Sequence, residues 1–129
     1  MAFGTPPQYL GKTTGIIAGT SAPSTATDGF DALQMRFVNA WVRLTNGTSC
    51  DVSVYLYNSA PGALQGGWYL YTDVPTTTIT TTNGGGVFQI ETRGAQRVYV
   101  RLQSFVGANA TADIILYGVN YAGSNVGSM

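Results

Sequence analysis

The feature that most constrains the fold is a period of two in the apolar residues, repeated in short runs along most of the chain. In residues 50–57, valine and leucine alternate with serine and tyrosine, and in residues 97–104 they alternate with arginine and tyrosine. Because successive side chains of a strand point to opposite faces, this pattern is typical of strands with one buried face. No helical period of useful length occurs. The sequence therefore predicts an all-β protein.

Turn residues separate these runs at short intervals, at Asn46-Gly47, at residues 83–86 and at residues 107–109. Asn-Gly between two alternating runs predicts a β-hairpin, because both residues tolerate a positive φ. The whole pattern amounts to about seven to nine short strands. We therefore expect one β-sandwich domain, jelly-roll-like, over residues 30–121.

The flanking segments have a different composition. Residues 1–29 are rich in proline, glycine, serine and threonine, which predicts an extended N-terminal arm with a strand near Ile16 and Ile17. Such an arm is expected to lie against its own domain or a neighbouring chain. After the arm, Leu33, Met35 and Phe37 alternate as the buried face of a strand, with a change of face following at residues 39–44. Residues 122–129 form a short C-terminal tail.

Charge is scarce and balanced. Charged residues make up 9% of the chain, with six basic and six acidic side chains and no net charge, whereas ordinary domains carry about 25%. A surface with so little charge favours association with other subunits. Neutrality also disfavours nucleic acid and anionic membranes as partners, since both attract basic proteins. We expect no nucleic-acid or membrane partner.

The chain lacks the residue types that most catalytic centres need. It has no histidine and a single cysteine, Cys50, which excludes histidine-assisted nucleophiles and a zinc site. Most of its six carboxylates fall at predicted strand starts or in loops. We therefore expect no enzyme activity, no metal and no cofactor. The N-terminus lacks the pattern of a signal peptide and no apolar stretch is long enough to span a bilayer, so synthesis in the cytoplasm is expected.

The outward faces of the predicted strands offer binding residues. Arg97, Tyr99 and Arg101 share the face opposite the apolar residues of their strand, and tyrosine and arginine are enriched at the centres of protein interfaces. Cross-strand aromatic pairing within one sheet is the alternative interpretation. We predict a protein-interface surface at these three residues. In the arm, the predicted anchoring residues are Tyr9, Leu10, Ile16 and Ile17.

Three segments resemble a type of small β-sandwich common among structural proteins of tailed bacteriophages. They are VRLTNGTSCDVSVYLY at residues 42–57, GGWY at residues 66–69 and ETRGAQRVYVRLQSFVGANATADIILYGV at residues 91–119. The resemblance covers residues 33–121 and lies in the style of alternation and turns. It implies a virion component, a capsid decoration (cement) protein that bridges and stabilises neighbouring capsid subunits. The implied partners are the major capsid protein or other virion subunits, and the implied oligomer is a homotrimer.

Two other functions remain open. The first is a tail or adaptor module of the same kind of particle. The second is a carbohydrate-binding, lectin-like receptor-binding domain, in which Trp68, Tyr69 or Tyr71 stacks on sugar rings.

Overall fold

The structure, a computed structural model, describes residues 7–59 and 67–120, and within these ranges the chain forms nine strands and no α-helix. The predicted C-terminal tail, residues 1–6 of the predicted arm and the loop at 60–66 lie outside the described residues. The all-β prediction is confirmed. The strands are β1 (Gln8–Ile16), β2 (Phe30–Asp31), β3 (Phe37–Thr45), β4 (Ser49–Tyr57), β5 (Trp68–Leu70), β6 (Thr77–Thr80), β7 (Gly86–Glu91), β8 (Arg97–Val106) and β9 (Thr111–Val119).

The strands form two antiparallel sheets, as expected for a β-sandwich. Sheet A has the order β1-β9-β3-β7, and sheet B has the order β2-β8-β4-β5, with β6 also paired to β4. The pairing is nested: β1 pairs with β9, β2 with β8, β3 with β7, and β4 with β5 and β6. Pairing of β3 with β9 and of β4 with β8 then completes each sheet.

The core lies between the two sheets and is aliphatic. Alternate residues of β3, β4, β8 and β9 point inward, as the period of two predicts. Each fully buried valine, leucine or isoleucine contributes about 1.5–3 kcal/mol relative to an exposed position. The largest fully buried aliphatic side chains are Val38, Val52, Val54, Ile90, Val98, Leu102 and Leu116.

The prediction at Asn46-Gly47 is confirmed for the turn and wrong for the hairpin pairing. Both residues adopt the expected positive φ, 56° and 65°. The strands that the turn joins do not pair, however, because β3 lies in sheet A and β4 in sheet B. Both edges of β3 are occupied by β7 and β9, so the turn carries the chain from one sheet to the other.

The strand expected from Leu33 begins later, at Phe37. The Met35 amide donates to the Ala32 carbonyl at 3.0 Å, and Gln34 has a φ of 70°, so this segment is a turn. Leu33 is 57% exposed as a result. The predicted change of face at residues 39–44 is wrong, because β3 alternates without a break and the turn precedes it.

Much of the predicted N-terminal arm belongs to the sandwich. Its strand β1 forms an edge of sheet A and spans Gln8–Ile16, a longer segment than the one expected near Ile16. Leu10 and Ile16 pack against the core of the same chain, so they anchor the arm to its own domain. Ile17 is exposed.

Candidate functional site

Residues 20–29, which we call the N-terminal strap, cover the part of the outer face of sheet B formed by Trp68 and the outward side chains of β8. Arg97 Nε donates to the Asp28 carbonyl at 2.7 Å. Arg97 Nη2 donates to the carbonyls of Gly29 and Thr27 at 2.9 and 3.1 Å. One guanidinium on β8 therefore holds three consecutive carbonyls, because its donors form a fixed fork.

The other two outward side chains of β8 extend this contact. Tyr99 Oη donates to the Ser21 carbonyl at 2.8 Å, and Arg101 Nε donates to the Thr20 carbonyl at 3.1 Å. The predicted protein-interface surface at Arg97, Tyr99 and Arg101 therefore needs correction: the side chains point outward, but they bind the chain's own strap.

Beneath the strap lies a small aromatic cluster. Trp68 is 2% exposed, and its indole N–H donates to the Thr25 carbonyl at 2.8 Å. Its ring lies 5.2 Å from the ring of Tyr57 and 6.1 Å from that of Tyr99, measured between centroids. Such aromatic pairs contribute about 0.5–1.5 kcal/mol beyond the area that they bury. The strap thus closes a second apolar layer outside sheet B.

A carboxylate organises the turn within the strap. Asp28 Oδ2 accepts hydrogen bonds from the amides of Ser24 and Thr25 at 2.9 and 3.0 Å. These two backbone hydrogen bonds, with a smaller contribution from the Arg97 charge, lower the pKa of the Asp28 carboxyl. The ionised carboxylate therefore favours the closed strap.

The predicted sugar-stacking residues are largely inaccessible. Trp68 lies under the strap, and Tyr71 is 6% exposed with its hydroxyl accepting a hydrogen bond from the Glu91 amide. The prediction is therefore wrong for these two residues. Tyr69 is exposed.

On the outer face of sheet A, by contrast, a row of apolar side chains is exposed among the described residues. Trp41 of β3 pairs in register with Val87 of β7 on one side and with Ile115 of β9 on the other. Trp41 is 52% exposed and Val87 56%. We call these three residues the apolar row. The sequence analysis missed Trp41. In VNAWVRLT, aliphatic side chains occupy every second position, and Trp41 stands between two of them, which predicts that it points outward.

An aromatic pair lies on the same face of sheet A as the apolar row. Tyr9 of β1 and Tyr117 of β9 are in register, and their rings contact edge to face with centroids 5.9 Å apart. Tyr9 remains 53% exposed. Exposed tyrosine and tryptophan on one sheet face are the side chains most enriched at the centres of protein interfaces.

A groove of about 360 Å³ lies beside the apolar row. The apolar row and the turn Gly84–Gly86 line it, and we call it the Trp41 groove. Gly85 has a φ of 120°, and a Cβ at this position would overlap the Val42 carbonyl oxygen. Only glycine therefore lets the turn approach β3 closely enough to form the wall of the groove.

The polar side chains that line the Trp41 groove have no net charge. Arg43 and Asp113 are opposite each other on β3 and β9, and both line the groove together with Asn83. Asp113 Oδ1 accepts a hydrogen bond from the Gly15 amide at 2.9 Å, which fixes the carboxylate. The groove thus combines an aromatic floor with one cation, one anion and one amide.

The single thiol has no nucleophilic character. Burial, and to a smaller degree the charge of Asp51, raises the pKa of Cys50 to about 11, so the thiol is protonated at neutral pH. Among residues 7–59 and 67–120, no three side chains of histidine, cysteine, aspartate or glutamate are grouped so that they could hold a metal ion. No helix in these ranges is long and apolar enough to cross a membrane.

Comparison with known proteins gave no match to a family model, to a curated protein or to a solved structure.

Proposed function

We propose that this chain is a virion structural protein, a capsid decoration subunit that attaches to neighbouring subunits through the outer face of sheet A. One observation carries the proposal. The strap covers the part of sheet B around Trp68 and Tyr99, whereas the apolar row on sheet A, with Trp41 52% and Val87 56% exposed, has no cover among the described residues. The virion as the setting comes from the resemblance of residues 33–121 to phage structural proteins.

The topology is compatible with this role. Strand β1 pairs with β9, β2 with β8, β3 with β7 and β4 with β5. This nested pairing supports a jelly-roll assignment, since a long hairpin rolled into two sheets produces the same strand order. Jelly rolls occur in viral capsid proteins and in lectins. The assignment therefore supports a binding function, and the exposed residues have to indicate which ligand is bound.

The energetics of the open face favour binding to protein. Burying the exposed parts of Trp41 and Val87 removes apolar surface from water at about 25 cal/mol per Å². The low charge of the chain reduces the cost of desolvating the surrounding surface. A standard interface covers about 800 Å² on each partner, a modest share of the 6920 Å² that the chain exposes. The trimer implied by the resemblance stays a prediction.

Particles of the phage that encodes the chain, grown without its gene, provide the test. Purified full-length chain is added back, and bound protein is measured by co-sedimentation. We expect Trp41→Ala to weaken binding at least tenfold. Tyr69→Ala, which removes an exposed aromatic ring from sheet B, serves as the matched control and is expected to bind like the wild type. Absence of the chain from native particles, or equal binding by both variants, would refute the proposal.

A second candidate function, oligosaccharide binding, is favoured by the polar rim of the Trp41 groove. An aromatic ring beside Arg43, Asp113 and Asn83 offers a sugar a stacking surface and hydrogen-bonding groups. The chain has two tryptophans, so its two indole N–H signals in a nitrogen–proton NMR spectrum can be assigned with Trp41→Phe. A shift of the Trp41 signal alone on titration with neutral oligosaccharides, without particle binding, would favour this function over the first.

A further inference from the structure

The edges of the two sheets differ in how they are protected from pairing with another chain. In sheet A, β1 carries two register shifts and Lys12, both of which disfavour edge pairing. In sheet B, the edge strands β2, β5 and β6 have two, three and four residues. Strand β7 has six residues, keeps an unbroken register with β3 and contains no lysine or proline. It is therefore the least protected edge of the described structure.

The hydrogen bonds at the end of β7 show which backbone groups face outward. The Thr92 amide donates to the Arg36 carbonyl at 2.9 Å, on the β3 side. The Glu91 amide donates to Tyr71 Oη at 3.1 Å, on the opposite side. Because alternate residues of an antiparallel strand direct their N–H and C=O groups to opposite sides, Val87 and Gln89 direct theirs away from β3. No described residue hydrogen-bonds to these four groups.

We propose that a second copy of this chain pairs with this edge, antiparallel, with Val87 of each copy opposite Gln89 of the other. In this register the two N–H and two C=O groups of each copy meet those of its partner in four inter-chain hydrogen bonds. A shift of two residues would require either the Glu91 amide, which Tyr71 already occupies, or the Gly85 amide, which donates to the Thr80 carbonyl. The pattern of free groups therefore selects the register of a self-pairing.

The side chains along the edge are also self-complementary. Phe88 lies beside the two-fold axis, opposite Phe88 of the second copy, and its partly exposed ring would be covered there. Glu91 lies opposite Gly85, so no like charges meet. On the outer face, Val87 at the end of one apolar row would lie beside the uncharged Gln89 of the other copy.

Pairing through β7 joins the two A sheets into one sheet of eight strands. The two-fold axis of such a contact is perpendicular to the sheet, so both open faces point to the same side. On the basis of the proposed function, the dimer would bind a particle at two points, which strengthens attachment without new contacts at either point. The contact gives a dimer, in contrast to the trimer that the resemblance implies.

Disulfide formation tests the register directly. A Val87→Cys chain is mixed with a Gln89→Cys chain and oxidised. Opposite residues of a hydrogen-bonded pair have Cα atoms about 5.5 Å apart, within disulfide range, whereas diagonal neighbours are about 7–8 Å apart. We expect a covalent dimer from the mixture and none from either variant alone. The native Cys50 is buried and does not interfere. A monomer in the mixture, or equal cross-linking of one variant alone, would overturn the register.

Light scattering tests the contact without any cysteine. We expect a mass about twice 13.6 kDa for the wild type. Gln89→Pro removes an outward N–H and leaves the bonds to β3 in place, so it should weaken dimerisation at least tenfold, whereas Gln89→Ala keeps the N–H and should remain dimeric. A wild-type monomer or trimer would refute the dimer. Both measurements use the isolated full-length chain, so they are independent of particle binding.

Discussion

Arg97→Met is the most informative single substitution in the strap. Methionine keeps most of the aliphatic length of arginine and removes the three hydrogen bonds to the carbonyls of Thr27, Asp28 and Gly29. We expect the strap to detach from β8 at this point. Trp68, which lies under the strap and bonds to its Thr25 carbonyl, should then become accessible to solvent.

The magnitude follows from the number of bonds and their exposure. A hydrogen bond from a charged donor contributes about 1.5–3 kcal/mol when it is well shielded. Arg97 is only half-buried, so the three bonds together should contribute roughly 2–3 kcal/mol. For a chain of this size, 1 kcal/mol corresponds to about 4 °C in melting temperature. The expected loss is therefore about 8–12 °C.

Thermal unfolding followed by circular dichroism measures the loss of stability, and acrylamide quenching of tryptophan fluorescence in a Trp41→Phe background, where Trp68 is the remaining tryptophan, measures the exposure of Trp68. Arg43→Met is the matched control, because Arg43 lies on the exposed face of sheet A and surface substitutions usually change stability by less than about 0.5 kcal/mol. If both variants melt at the same temperature and Trp68 stays protected from acrylamide in Arg97→Met, the strap is not held by Arg97.

Three further predictions concern the strap, the core and the groove wall. Because the pKa of Asp28 is lowered in the folded chain, its stabilisation of the strap is complete above its unfolded pKa of about 3.9 and is lost as the pH falls through the lower folded pKa. In the Trp41→Phe background, acid titration should raise the acrylamide quenching of Trp68, and Asp28→Ala should show that quenching already at neutral pH. Burial keeps the Cys50 thiol, with a pKa of about 11, protonated. Ellman's reagent at pH 8 should therefore react with this thiol only after unfolding in urea, and rapid reaction of the folded chain would contradict its burial. Gly85→Ala should lower the free energy of unfolding in urea by about 3 kcal/mol. Gly84→Ala, at a position with free space for a Cβ, should lower it by about 1 kcal/mol, and equal losses would contradict the close approach of Gly85 to β3.

The alternation of apolar residues predicted the inward faces of β4 and β8 correctly. In both strands, valine and leucine at alternate positions face the core, and the residues between them point outward. This pattern is local, because each strand has one face toward the core. The assignment of strands to sheets is not local. Asn46-Gly47 specifies a turn, but which strands pair is decided by distant partners such as β7 and β9.

The candidate site was harder to predict for the same reason. The outward orientation of Arg97 and Tyr99 follows from the alternation, but their donors can bind a carbonyl of any chain, and the sequence does not say which. The strap supplies the Ser21 carbonyl to Tyr99, and its turn at Asp28 and Gly29 places three further carbonyls beside Arg97. Gly29 has a φ of 72°, and a Cβ there would overlap the Val98 carbonyl oxygen. Trp68 lies in a strand of three residues, too short for alternation to orient it.

Hydroxyl-radical footprinting of assembled particles tests most directly whether sheet A is the docking face. Oxidation of Trp41 and Tyr69 is measured by mass spectrometry in the free chain and in the particle. We expect both residues to be oxidised in the free chain, and only Trp41 to become protected, at least fivefold, on assembly. Equal oxidation of Trp41 in both states, or protection of Tyr69 alone, would contradict docking through sheet A.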